Sequence, residues 1–118
     1  MRNFRNLLIW QKAMSLVAKT YLITHTFPKD EVFGLVAQIR RCSVSIPSNI
    51  AEGSGRETKK EFARFINIAV GSLYEFQTQL EIARNINYIN ETDFNNFYED
   101  SRELEAMLTS FYRTISKV

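Results

Sequence analysis

The sequence predicts an all-α fold, an antiparallel up-and-down four-helix bundle with a proline-kinked second helix, and three observations carry that prediction. Four stretches repeat apolar residues at alternating spacings of three and four, the seam of an amphipathic helix. The breaks between them are short, which favours antiparallel neighbours. The length of 118 residues fits one domain spanning residues 1–118, with 45% apolar and 24% charged residues, an ordinary globular balance.

The first helix is expected from Asn6 to about Thr24, with Leu7, Trp10, Met14, Val17 and Tyr21 as its seam. The segment HTFPKDE breaks the pattern; Pro28 suits a first helical turn, and Asp30 and Glu31 suit the positive end of the next helix. In the second helix the seam is Val32, Leu35, Ile39, Cys42 and Ile46. Pro47 removes a backbone donor and crowds the carbonyl of Ser43, so a kink is expected there. The seam resumes at Ile50, and the helix is expected to run to about Glu52 and to end at Gly53 in a left-handed conformation.

Thr58 and Glu61 fit a capping box for the third helix. Phe62, Ile66, Ala69, Leu73, Phe76, Leu80 and Ala83 then form its seam, and a helix from Lys59 to about Tyr88 would be roughly 45 Å long. Asn90, with Asp93 three residues on, caps the fourth helix, whose seam is Phe97, Ser101, Leu104, Leu108, Phe111, Ile115 and Val118. On the third helix Ile68, Ile82 and Ile86 fall roughly 115° to 155° from the main seam, with Gly71 and Ser72 near the same side. A second apolar face of that kind points to burial against another subunit. Asn49 continues the second seam three residues after Ile46, as a buried polar residue that fixes register or a subunit contact.

Catalytic chemistry is thinly represented. The single histidine, His25, and the single cysteine, Cys42, fall on different helices and assemble no nucleophile with its base. Glu-x-x-His repeats, which a di-iron bundle needs, are missing. Gly53-Ser-Gly55-Arg56 lacks the Gly-Lys-Ser/Thr ending of a P-loop and follows a helix rather than a strand. A protein that is not an enzyme, with no cofactor and no metal, is therefore expected. No apolar run approaches the roughly 20 residues that span a bilayer, so no membrane partner is expected and the cytoplasm is the expected location.

The formal charge is +2, but its distribution is uneven. Residues 1–29 hold Arg2, Arg5, Lys12, Lys19 and Lys29 and no acid, whereas the last helix carries Glu91, Asp93, Glu99, Asp100, Glu103 and Glu105 against three cations. Arg56, Lys59, Lys60 and Arg64 cluster where the third helix begins, and Arg40 and Arg41 project off the second apolar stripe. Solvated charges and a phosphate-contacting surface are both open readings of these groups.

The run GLVAQIRRCSVSIPSNIAEGSGR, Gly34 to Arg56, followed by FARFINIAVGSLYEFQTQLEIA, Phe62 to Ala83, resembles the four helix bundle protein family first known from open reading frames in intervening sequences of bacterial 23S ribosomal RNA genes. The upstream LLIWQKAMSLVAKTYLITHTFP also fits its pattern. Cys42 stands where alanine is common, and Asn87-Tyr88 where a Gly-Tyr pair often ends the third helix. The resemblance implies a ring-like homo-oligomer similar to pentameric barrels. A related branch, the accessory variability determinants of diversity-generating retroelements, binds nucleic acid and a reverse transcriptase through basic surfaces. Carried over to this chain, the resemblance implies RNA or other nucleic-acid contact at Arg40, Arg41, Arg56, Lys59, Lys60 and Arg64, while the positions read above from the helix faces, Asn49, Ile68, Gly71, Ser72, Ile82 and Ile86, are the expected subunit contacts. The expected function is a non-enzymatic oligomeric bundle that binds structured RNA, ribosomal RNA being one candidate. The alternative is a protein-interaction scaffold or accessory subunit.

Overall fold

The computed structural model describes residues 3–117. Arg2 and Val118, counted above among the cations and the fourth seam, lie outside the described residues. Four helices follow one another: α1 (Leu8–Thr24), α2 (Leu35–Ser54), α3 (Lys59–Asn85) and α4 (Glu91–Ser116). Short 3-10 turns at Phe4–Asn6 and Lys29–Glu31 precede α1 and α2. The helices form an elongated bundle of 45 × 24 × 20 Å. α2 and α4 each pack on α1 and on α3, most extensively at α2 against α3 and least where α1 meets α4.

Cross-links between helices fix the antiparallel sense. Lys12 Nζ lies 2.7 Å from Glu103 and Lys19 Nζ 2.7 Å from Asp100, so α1 and α4 run opposite ways. Ser45 pairs with Ser72 and Gln38 with Gln79, which does the same for α2 and α3. The two lysine bridges also pair Lys12 and Lys19 of the basic N-terminal stretch with two acids of the last helix. The hydrogen bond from Lys12 to Glu103 raises the lysine's proton affinity.

The expected third seam is buried at every position, from Phe62 through Ala83. Thr58 Oγ1 accepts from the Glu61 amide at 3.1 Å, so α3 starts where its cap is expected. At its other end the Tyr88 amide donates to the Ala83 carbonyl (2.8 Å) and the Asn87 amide to that of Arg84 (3.0 Å), a Schellman turn. Asn87 takes the left-handed position with φ 65°, one that asparagine tolerates better than other side chains. On α4, Asn90 Oδ1 accepts from the Asp93 amide at 2.8 Å. Phe97, Ser101, Leu104 and Leu108 are buried there, Phe94 joins them, and Phe111 and Ile115 are half-buried.

Three expectations are corrected. In α1 the buried stripe is Ile9, Ala13, Leu16, Thr20 and Thr24, whereas Met14 and Tyr21 of the expected seam are exposed. The two stripes are about 100° apart, and the buried one hides because it contains threonines. Thr20 and Thr24 satisfy their hydroxyls by donating to the Leu16 and Thr20 carbonyls, each at 2.7 Å, and so can be buried. Second, Val32 lies outside α2 and is exposed; α2 begins at Leu35, and Ile39, Cys42 and Ile46 form its buried face.

Third, Gly53 does not end α2 in a left-handed conformation, and no glycine among the described residues has positive φ. Helical conformation passes through the buried Pro47 to Ser54, and Gly53 is buried in the last turn. A methyl group on it would lie 2.5 Å from Phe65 Cβ and 3.0 Å from Phe62 Cδ1. Gly53 is glycine because α3 passes that close.

Glu31 joins the start of α2 to the end of α3. Its carboxylate accepts from the Tyr88 hydroxyl at 2.7 Å and from the Leu35 amide at 3.2 Å. Tyr88 also rests on Phe27, with ring centroids 5.4 Å apart. The Tyr88 bond, then the Leu35 amide, hold Glu31's carboxyl below the usual carboxylate range, and the same bond raises the Tyr88 phenol.

Two outcomes follow from this packing. Gly53→Ala, which helix propensity alone would make stabilising by about 1 kcal/mol, is expected to destabilise by about 1–3 kcal/mol in denaturant unfolding; a stabilised variant would contradict the close approach. Because the folded pKa of Glu31 is depressed, its contribution is present above the ordinary carboxylate range and is lost as pH falls through the folded value. The stability difference between wild type and Tyr88→Phe should therefore be constant between roughly pH 5 and pH 9, shrink below that window as Glu31 protonates, and shrink above it as the raised Tyr88 phenol ionises. A difference independent of pH would show that the bond does not discriminate between protonation states.

Candidate nucleic-acid interface

The four-residue connection between α2 and α3, Gly55 to Thr58, places the basic turn at one end of the bundle. Arg56 sits at that turn with its guanidinium over the Phe65 ring, Cζ to centroid 4.7 Å, and 3.1 Å from Glu52. Lys59, Lys60 and Arg64 follow on the first two turns of α3, all exposed, and make no ion pair among the described residues. The first turn of a helix carries free amides and a positive partial charge, so these cations add to a field that already favours anions.

Arg40 and Arg41 lie elsewhere. Fourteen residues of helix follow Arg40 before α2 ends at Ser54, so Arg40 stands roughly 21 Å along α2 from the turn that holds Arg56. Arg40 is committed to α1: its Nε donates to Thr24 Oγ1 at 2.9 Å, and its Cζ lies 4.4 Å from the Tyr21 ring centroid. Arg41 is exposed on the other flank of α2 and lines, with Gln38, Cys42, Ser45, Ser72 and Glu75, a pocket of about 260 Å³. The six expected contact residues thus form one cluster of four and two separate sites.

The expected subunit-contact residues also divide. Ile68 and Ile82 are each 44% exposed and Ile86 46%, and a methyl group on Gly71 would meet open space. Ser72 and Asn49, both half-buried, instead belong to a polar strip between α2 and α3 of one subunit. Ser45 Oγ and Ser72 Oγ are 2.9 Å apart, and Asn49 Nδ2 donates to the Ser45 carbonyl (2.8 Å) and hydroxyl (3.0 Å). Further along the strip Cys42 Sγ donates to Gln79 Oε1 at 3.4 Å. Burial, then the charge of Glu75, push this thiol up to about 12, an inert core cysteine.

A broader asymmetry was not visible in the sequence. Among the described residues the exposed large apolar side chains, including Met14, Tyr21, Val44, Ile68, Tyr74, Ile82 and Ile86, lie on α1, α2, α3 and their connections, and none lies on α4. Tyr21 of the stripe expected to face the core lies against Arg40 of α2, whereas Ile68 and Ile82 stand on α3 and Ile86 caps its end.

Among the described residues no cluster of three or more His, Cys, Asp or Glu could hold a metal ion, and no helix is long and apolar enough to cross a membrane. A family model described as 23S rRNA-intervening sequence protein matches residues 5–110. The chain belongs to this family. A solved structure similar to the fold is the 1.70 Å crystal structure of a protein of unknown function from the S23 ribosomal protein family of Bacteroides thetaiotaomicron. It has a TM-score of 0.82 and 24% identity, over 89% of this chain and 98% of that one. The search of curated proteins found no match. The fold of the bundle is shared with this structural neighbour.

Proposed function

We propose that this chain is a cytoplasmic, non-enzymatic subunit of a ring-like homo-oligomer, a pentamer, that binds structured RNA through phosphates at the α2–α3 turn. The observation that carries the reading is the group of exposed cations Lys59, Lys60 and Arg64, which have no ion-pair partner among the described residues and stand beside Arg56. Arg40 and Arg41 supply further cationic positions farther along α2. The family's association with 23S rRNA intervening sequences favours ribosomal RNA as the partner. A bend at Pro47 belongs to the same reading, since it would set the angle at which the last turns of α2 present the turn.

Assembly strengthens the argument. One subunit offers a modest patch, but a ring repeats it around a common axis, so weak contacts act together on one polyanion. The exposed Ile68, Ile82 and Ile86 supply apolar surface for such an assembly. That surface also favours a second reading, a protein-interaction scaffold in which the stripe receives another protein.

Fluorescence-anisotropy titration of a structured RNA and a matched DNA duplex at several salt concentrations tests the proposal. Wild type should bind saturably with log K falling linearly in log salt. The variant with Arg56, Lys59, Lys60 and Arg64 all changed to Ala should lose roughly 3 to 4 in slope if all four touch phosphate. Equal slopes would remove the turn from the interface. Weak, non-saturable RNA binding together with a stoichiometric protein in pull-downs would support the scaffold instead.

A further inference from the structure

The α2–α3 turn also carries a pocket, lined in part by two of its arginines. Arg56, Glu61, Arg64 and Phe65 line a cavity of about 160 Å³, room for one heterocycle rather than a length of chain. Its floor is fixed, because Phe65 Cβ packs against the Gly53 backbone and the ring lies beneath the Arg56 guanidinium. Glu61 is exposed, and although two arginines share its pocket, its carboxylate has no ion pair or side-chain hydrogen bond among the described residues. A planar cation on an aromatic ring thus stands beside a carboxylate whose acceptors are unused.

We propose that this pocket takes one unpaired guanine nucleotide of the bound RNA, an inference that rests on the RNA-binding reading above. An ionised carboxylate only accepts hydrogen bonds, so the base it reads must present donors. Guanine alone of the four common bases places two donors side by side on its Watson–Crick edge, N1–H and the 2-amino group, and so matches both carboxylate oxygens. Adenine and cytosine set an acceptor beside their amino group, and uracil flanks its one N–H with two carbonyls. Stacking on the Arg56 plane over Phe65 holds the ring, as unstacked RNA bases are held on aromatic and guanidinium faces. Arg64 contacts the phosphate of the same nucleotide. The guanine must be unpaired, because pairing would occupy the edge that Glu61 reads.

The test uses hairpin RNAs of one stem whose uridine loop carries a single guanosine, inosine or adenosine at the same position, titrated against wild type and Glu61→Gln at fixed salt. Glutamine also serves in a capping box, so the start of α3 is preserved, and a circular dichroism melt checks this. Wild type should prefer the guanosine loop over the adenosine loop roughly ten-fold, and inosine, which lacks the 2-amino group, should lose most of that preference. In Glu61→Gln the preference should fall to within about two-fold while overall affinity is free to rise, a negative charge having been removed. Equal affinities for the three loops in wild type, or a preference that survives in Glu61→Gln, would overturn the guanine pocket and leave salt-dependent phosphate binding standing. Failure of every hairpin to bind saturably would overturn both readings.

Discussion

The structure depends on the burial of one unbroken apolar seam along α3. Seven side chains from Phe62 to Ala83 are each 2% exposed or less, and α3 packs on both of its neighbours through them. Side chains such as Phe62, Phe76 and Leu80 each contribute on the order of 1.5–3 kcal/mol when removed from water, so this one helix organises most of the core. α2 must therefore come close to α3 along its whole length, which explains small or hydrogen-bonded residues at their contact: Gly53 near the turn, then Ser45 with Ser72, then Cys42 with Gln79. A polar pair at a helix contact is satisfied in one register only, so the strip selects the alignment that the apolar seam alone would leave degenerate.

α1 is held differently. It meets α4 sparingly, and that junction carries the Lys12–Glu103 and Lys19–Asp100 bridges on its exposed side. Exposed pairs of this type contribute little each, so α1 relies on its contact with α2, where Arg40 lies across Tyr21 and reaches Thr24. Arg40 is thus a packing residue as much as a charge.

α3 and α4 were legible in the sequence because each carries one dominant stripe with matching caps at Thr58 and Asn90, so local and tertiary preferences agree. α1 was not, because it carries two stripes, and in the more apolar one Trp10 is only half-buried while Met14 and Tyr21 are exposed. The basic turn could be read directly from Arg56, Lys59, Lys60 and Arg64. The division of Arg40 and Arg41 from that turn is a matter of helix length and azimuth, which charge alone does not reveal. Gly53 shows a different limit: a glycine near a helix end serves either conformation or close approach, and only the position of Phe65 decides between them. The stacking of Arg56 on Phe65 spans the connection between two helices, so no periodicity within either one signals it.

The bundle thus separates two tasks. The outer face of α4 is polar, the loop end presents cations, and among the described residues the exposed large apolar side chains lie on α1, α2, α3 and their connections. We propose that copies of the chain cover those faces. Light scattering coupled to size exclusion at micromolar protein tests it in one measurement: the account predicts a single species with the mass of five chains, and a species with the mass of one chain would contradict it.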